Sequence, residues 1–133
     1  DIAIISFEDS LLEEDRVEEL TSLLGKKVCV LKDRQAATLS REAKTEDRII
    51  LADPNSVNGL EFKCVILYGV DKGRVPQDNG VDDISANYIR YIAFNQLYLS
   101  ASRAKYQLLL LGNNLHGMSN CLQYALGNGK VEM

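Results

Sequence analysis

Short runs of strand-forming residues, spaced widely enough to leave room for a helix or a crossover between them, constrain this chain more than any other feature. Ile2 to Phe7 is rich in isoleucine and bounded by acids, and Lys27 to Leu31, Arg48 to Ala52, Lys63 to Val70 and Gln107 to Leu111 repeat the pattern. Continuous apolar runs of this length read as strands buried on both faces. After the first run, Ser10-Leu11-Leu12-Glu13 has the form of a capping box, in which a hydroxyl and a carboxylate each satisfy a free N–H of a helix's first turn. Leu20, Leu23 and Leu24 continue as an apolar stripe that ends at Gly25, a residue suited to leaving a helix. Ile84 to Ala104 is a second helical segment whose apolar residues fall on most faces, so it should be covered on more than one side. The alternation predicts an α/β fold: a mostly parallel sheet of five strands, or slightly more, joined by right-handed crossovers with helices on both faces. Ala36 to Asp47 and Asp71 to Asp83 read as the long loops, where ligand contacts concentrate.

A chain of 133 residues that is 46% hydrophobic and 26% charged predicts one globular domain spanning residues 1–133. Its net charge of -4 argues against a freestanding nucleic-acid binder, which needs clustered Lys and Arg to displace counterions, but leaves room for one half of a binding groove. Much of the acid lies at Glu8, Asp9, Glu13, Glu14, Asp15, Glu18 and Glu19, and reads as the solvated, dipole-favoured start of a helix. Cys29, Cys64 and Cys121 have neither zinc nor disulfide spacing, and two lie in strand-like runs. They imply buried, reduced thiols and an intracellular, cytoplasmic setting. The first residues lack a secretory pattern, and nothing reaches membrane-spanning length, so no membrane partner is expected. A start at Asp1 rather than methionine fits a fragment whose partners lie in the same polypeptide.

Several chemistries are set aside. The single histidine, His116, falls in an expected surface turn and is a poor base for a nucleophile. Gly25-Lys26-Lys27 and Gly129-Lys130-Val131 hold the glycine-lysine pair of a phosphate-binding loop without the Ser or Thr that follows it. The acids of Asp78-Asn79-Gly80 and Asp82-Asp83 do not fit a calcium loop. No metal site is expected, and no nucleoside triphosphate site that is complete within this chain.

Two stretches remain. Gly59-Leu60-Glu61-Phe62 precedes the fourth strand, and Tyr98-Leu99-Ser100-Ala101-Ser102-Arg103-Ala104-Lys105 precedes the fifth. Together they resemble motifs V and VI of superfamily 1 helicases of the UvrD/Rep/PcrA type, written T-x-H-x-x-K-G-L-E-F and Y-V-A-x-T-R-A-K. Gly69 to Pro76 is similar to the G-x-x-x-G-x-x-P segment that follows motif V in that family. The resemblance covers about Arg48 to Gly112, and its order and placement against strands make it more specific than either motif alone. It implies the second RecA-like domain of a larger motor, with a RecA-like three-layer sandwich fold. ATP and Mg²⁺ would be bound only with a preceding P-loop domain of the same polypeptide, and single-stranded nucleic acid, DNA in the first place, would be the track. Arg103 would be the arginine finger presented to the γ-phosphate, Glu61 would accept hydrogen bonds from the ribose hydroxyls, and Gly59 would let the backbone approach the nucleotide.

Departures from the family pattern bear on this reading. Asp53, Asn55 and Asn58 stand where the family has threonine, histidine and lysine, which weakens direct strand contact through motif V. Asn55, Ser56 and Asn58 could still hydrogen-bond phosphate or sugar. Ile92-Ala93-Phe94-Asn95 replaces the acidic-arginine start of motif VI, and Ser6-Phe7-Glu8 stands where a phosphate-sensing arginine is common. A short loop is expected between the second and third strands, without the family's large insertion. One alternative is a degenerate helicase-like domain that binds a partner without hydrolysis. A receiver-type phosphoacceptor domain would also be a five-stranded parallel fold, with Glu8, Asp9 and Asp53 as its acids, but Gly112-Asn113-Asn114 lacks the lysine such a domain needs after its fifth strand.

Overall fold

The computed structural model describes residues 1–31, 36–113 and 115–122. Five strands, β1 (Ile2–Ser6), β2 (Val28–Val30), β3 (Ile49–Ala52), β4 (Phe62–Tyr68) and β5 (Ala104–Leu111), form one sheet in the order β2-β3-β1-β4-β5. Every neighbouring pair is parallel. In chain order α1 (Glu14–Leu24) lies between β1 and β2, α2 (Ala36–Thr45) between β2 and β3, and α3 (Asp83–Ala101) between β4 and β5. A 3₁₀ turn at Pro54–Val57 lies between β3 and β4.

From β1 to β2 the chain moves one way along the sheet, and every later crossover moves the other way. Right-handed crossovers therefore put α1 on one face and α2, the 3₁₀ turn and α3 on the opposite face. Contacts agree: the Cys29 thiol points at the Leu39 carbonyl of α2, 4.0 Å away, while Leu20 and Leu23 of α1 share a cleft with Tyr68 of β4. The result is a three-layer α/β sandwich around an all-parallel five-stranded sheet, as the sequence predicts and consistent with a RecA-like arrangement.

Register fixes which side chains share a layer. Cys29, Ile50, Ala3 and Val65 lie abreast, as do Ala52, Ile5 and Leu67 one step on, and all are buried against α2 and α3. The α1 face is less complete. Leu51 is fully buried there, but Ile2, Leu109 and Leu111 keep between 40% and 49% of their surface exposed. Burial thins toward β5, at the edge of the sheet.

Three expectations need correction. Ala36 to Asp47 is not a loop but contains α2, so more than a short loop separates the second and third strands. Its inward positions, Ala36, Ser40 and Ala43, are small, which hides the helical stripe from a search for large apolar residues. The capping box does not form. Asp9–Leu12 is a 3₁₀ turn, α1 starts at Glu14, and the Ser10 hydroxyl donates to Glu8 Oε1 at 2.9 Å instead of to the helix. The leucine stripe of α1 also sinks less than expected: no residue of that helix is fully buried. Its end does match, with Gly25 at φ +64° and its N–H bonded to the Thr21 carbonyl at 3.1 Å. Gly129-Lys130-Val131 lies outside the described residues. Among the described residues no helix is long and apolar enough to cross a membrane.

Candidate functional site

Gly59, Glu61 and Arg103 meet at the amino ends of β4 and β5. β5 begins at Ala104, three residues before the apolar run that marks it, so Arg103 sits in the sharp turn between α3 and β5. That turn is pinned to the start of β4: the Phe62 N–H donates to the Arg103 carbonyl at 2.8 Å, and Phe62 is completely buried beneath it. Gly59 takes φ +76°, a conformation that L side chains rarely adopt, and nothing lies within 4 Å of where its Cβ would stand. Open space and a positive φ at one position leave the backbone there approachable from outside.

The Arg103 guanidinium lies across both segments. Its Nη1 donates to the Leu60 carbonyl at 3.3 Å, Nε to Leu99 at 3.1 Å in the last turn of α3, and Nη2 to the Ser102 hydroxyl at 3.1 Å. Among the described residues no carboxylate stands within salt-bridge distance of it. A half-exposed cation held only by neutral acceptors keeps its charge available to an anion. Beside it the Glu61 carboxylate reaches Lys105 Nζ at 3.3 Å, both side chains being at least half exposed, so that pair contributes little to stability.

Lys44, at the end of α2, is a member of this cluster that sequence reasoning missed. Its ammonium donates to the Glu61 carbonyl at 2.6 Å and lies 4.9 Å from the centre of the Phe62 ring, a cation–π distance. Burial, with the neighbouring Lys105 charge, lowers its pKa, and Glu61 opposes the shift. The only signal that could have found it was α2 itself, since a lysine in an assumed loop has no address. With Lys105 and Arg103 it sets three cations beside the carboxylates of Glu61 and Asp1, the latter 3.6 Å from Lys44 Nζ.

The proposed nucleic-acid residues are arranged differently. The Asp53 carboxylate caps the 3₁₀ turn by accepting from the Asn55 and Ser56 N–H groups at 2.7 and 3.0 Å, and from the Ser56 hydroxyl at 3.2 Å. Ser56 is buried by that turn. Asn55 and Asn58 are exposed. Gln96 donates to Asn55 Oδ1 at 3.5 Å, and Gln96 lies two turns of α3 before Arg103, on the order of 10 Å along the helix axis. Asn58 adjoins Gly59, whereas Asn55 borders a groove of about 290 Å³ lined by Phe7, Arg74, Val75, Tyr88, Ile92 and Gln96. His116, as expected, is exposed in a turn.

At the carboxyl ends of the strands a second set of charges is tied inward. Arg74 Nη1 donates to Glu8 Oε2 at 2.8 Å and stands 3.6 Å from Asp71 Oδ2. Asp71 is buried, and its other oxygen accepts the Asn113 N–H after β5. Gly112 permits this closure, since a Cβ there would meet Met118 Sδ at 2.8 Å and Asp71 Oδ1 at 3.0 Å. The Ser10 hydroxyl, and after it Arg74, hold the Glu8 carboxyl below the ordinary carboxylate range, with partial burial working against them.

No family model matches the chain, and no curated protein matches it. Among solved structures it is similar to the C-terminal domain of a possible DNA helicase from Lactobacillus plantarum WCFS1, with a TM-score of 0.38 and 15% identity over 92% of this chain and 77% of that one. A likeness of that size lends the site no support, and the geometry at the amino ends of β4 and β5 stands alone.

Proposed function

We propose that this chain is the second RecA-like motor domain of an ATP-dependent superfamily 1 helicase or translocase, completing the ATP site of a preceding P-loop domain. One observation carries the reading: the two stretches that resemble motifs V and VI touch, through Arg103 Nη1 on the Leu60 carbonyl 43 residues away in sequence. The residues present suit a nucleotide. Gly59 leaves open space, Glu61 offers an exposed acceptor, and Arg103 and Lys105 offer cations. Mg²⁺ belongs with the P-loop domain in this reading.

When bound, ATP supplies the phosphoryl group whose transfer drives the motor. Glu61 orients it by accepting from the ribose hydroxyls, and the Gly59 backbone lies against the nucleotide. Arg103 exchanges the Leu60 carbonyl for the γ-phosphate, where a planar cation opposes the charge that redistributes during transfer. The exposed amides of Asn55 and Asn58 face single-stranded nucleic acid, DNA in the first place, and Ser56 holds their turn.

The second reading, a helicase-like domain that binds a partner without hydrolysis, draws on the same arginine, because its three nitrogens are all satisfied within the chain. Arg103→Ala in the complete protein separates the two. A working finger predicts a fall in kcat on the order of 10³ to 10⁵ with nucleotide binding largely kept, and lysine as a poor substitute. Near-normal turnover with saturating ATP and single-stranded nucleic acid would favour the partner-binding reading.

A further inference from the structure

If Arg103 leaves the Leu60 carbonyl to meet a γ-phosphate, the segment it was holding needs another anchor. The peptide unit between Glu61 and Phe62 has one. Its N–H donates to the Arg103 carbonyl at 2.8 Å, and its own carbonyl accepts from the Lys44 ammonium at 2.6 Å. One planar unit is thus fixed at both poles, by main chain on one side and by a cation of α2 on the other. The units on either side are held as well, since the Leu60 carbonyl accepts from Arg103 Nη1 and the Lys63 N–H donates to Asp1 Oδ1. Of these holds, only that of the guanidinium would be given up.

A lysine in the last turn of a helix ordinarily serves that helix's own dipole. Lys44 reaches further. Its ammonium crosses to a carbonyl 17 residues on, lies 4.9 Å from the centre of the Phe62 ring, and stands 3.6 Å from Asp1 Oδ2. With 33% of the side chain exposed, the bond is partly sheltered from water, and a hydrogen bond from a charged donor is of the stronger kind. Phe62 is fully buried beneath it, which leaves the segment little room to move on that side. The Glu61 carboxylate, by contrast, is held only by the half-exposed Lys105, so its direction is set by the backbone that carries it. We infer, on the motor-domain reading, that Lys44 is a positioning residue: through the Glu61 carbonyl it keeps the Glu61 carboxylate aimed at the ribose while Arg103 is engaged with phosphate. Lys44 itself touches no part of the nucleotide.

Lys44→Met keeps an unbranched stem against Phe62 and removes the charge and the donor. In the 133-residue chain the variant should fold, and its Phe62 amide should exchange with solvent about three- to tenfold faster. In the complete protein it should weaken ATP binding about three- to tenfold and leave kcat at saturating ATP within about twofold. That loss should vanish with dideoxy-ATP, which lacks both ribose hydroxyls, and in a Glu61→Ala background, where nothing is left to aim. An equal loss with dideoxy-ATP would mean that Lys44 meets the phosphates or only supports the fold, and overturns the proposal. So does unchanged ATP binding by Lys44→Met alongside weakened binding by Glu61→Ala. If Glu61→Ala itself fails to distinguish ATP from dideoxy-ATP, the ribose contact of the motor-domain reading is refuted, and the role of Lys44 falls with it.

Discussion

The two ends of the sheet use charge in opposite ways. At the carboxyl ends, Glu8, Asp71 and Arg74 are drawn together from β1, β4 and the loop that follows it, and the Asn113 N–H closes the network from beyond β5. At the amino ends, Glu61, Lys44, Arg103 and Lys105 stand near the surface: Lys44 and Arg103 donate to main-chain carbonyls, and Lys105 pairs with the Glu61 carboxylate. Open parallel sheets usually hold their ligands beyond the carboxyl ends. Here that end holds the protein's own ion network, which lines a cleft of about 360 Å³ with Tyr68, Leu111 and Gly112, while at the amino end Arg103 has only neutral acceptors to give up and Lys105 a solvated carboxylate. A charged residue's availability depends on what it would leave behind: a buried carboxylate unpaired at one end, a solvated carbonyl at the other.

Truncation should affect the two ends unequally. Asp71→Ala removes a buried acceptor and leaves Arg74 and the Asn113 N–H short of a partner, so it should cost about 2–4 kcal/mol. Arg103→Ala in the same isolated chain should cost about 1 kcal/mol or less, because water replaces its partners. Urea midpoints of the two variants measure the gap, and equal shifts would show that Arg103 is a structural strut.

Glycines at the two ends differ in the same direction, on a smaller scale. Gly112→Ala forces a methyl group against Met118 and the Asp71 carboxylate and should cost about 1–3 kcal/mol. Gly59→Ala meets no atom, and its cost, about 1 kcal/mol, comes from the positive φ alone. Thermal melts should rank them in that order, whereas nucleotide binding by the complete protein should suffer from the second and not the first.

The smallest effect is in acid. Ser10 and Arg74 depress the Glu8 pKa in the folded chain, so the folded state binds that proton less readily than the unfolded one. The resulting stability is present above the unfolded value near 4.5 and is lost as pH falls through the lower, folded value. Glu8→Gln should therefore flatten the acid limb of a stability curve below that pH. An unchanged limb would mean that the partly exposed Arg74 pair is screened by solvent.

Much of the sheet was legible because burial on both faces writes strands as unbroken apolar runs; β1, β3 and β4 are such runs. β5 begins three residues before its apolar run because Ala104, Lys105 and Tyr106 lie on an edge strand and need not be apolar. α2 was missed for the opposite reason: Ala36, Ser40 and Ala43 fit beneath it because they are small, and small residues carry little hydrophobic signal. The meeting of Gly59, Glu61 and Arg103 could be foreseen from motif order. Lys44 could not, nor could the bond from Arg74 to Glu8, which spans 66 residues and depends on a register that no local pattern encodes.

α1 covers its side of the sheet without completely burying a single residue, and it ends in a left-handed glycine rather than in a contact. A helix held so lightly can lift away by sub-global opening, at a free energy well below that of unfolding the strands beneath it. Its amide protons should then exchange with solvent sooner than those of β1 and β3, making α1 a detachable acidic cover on a more durable sheet.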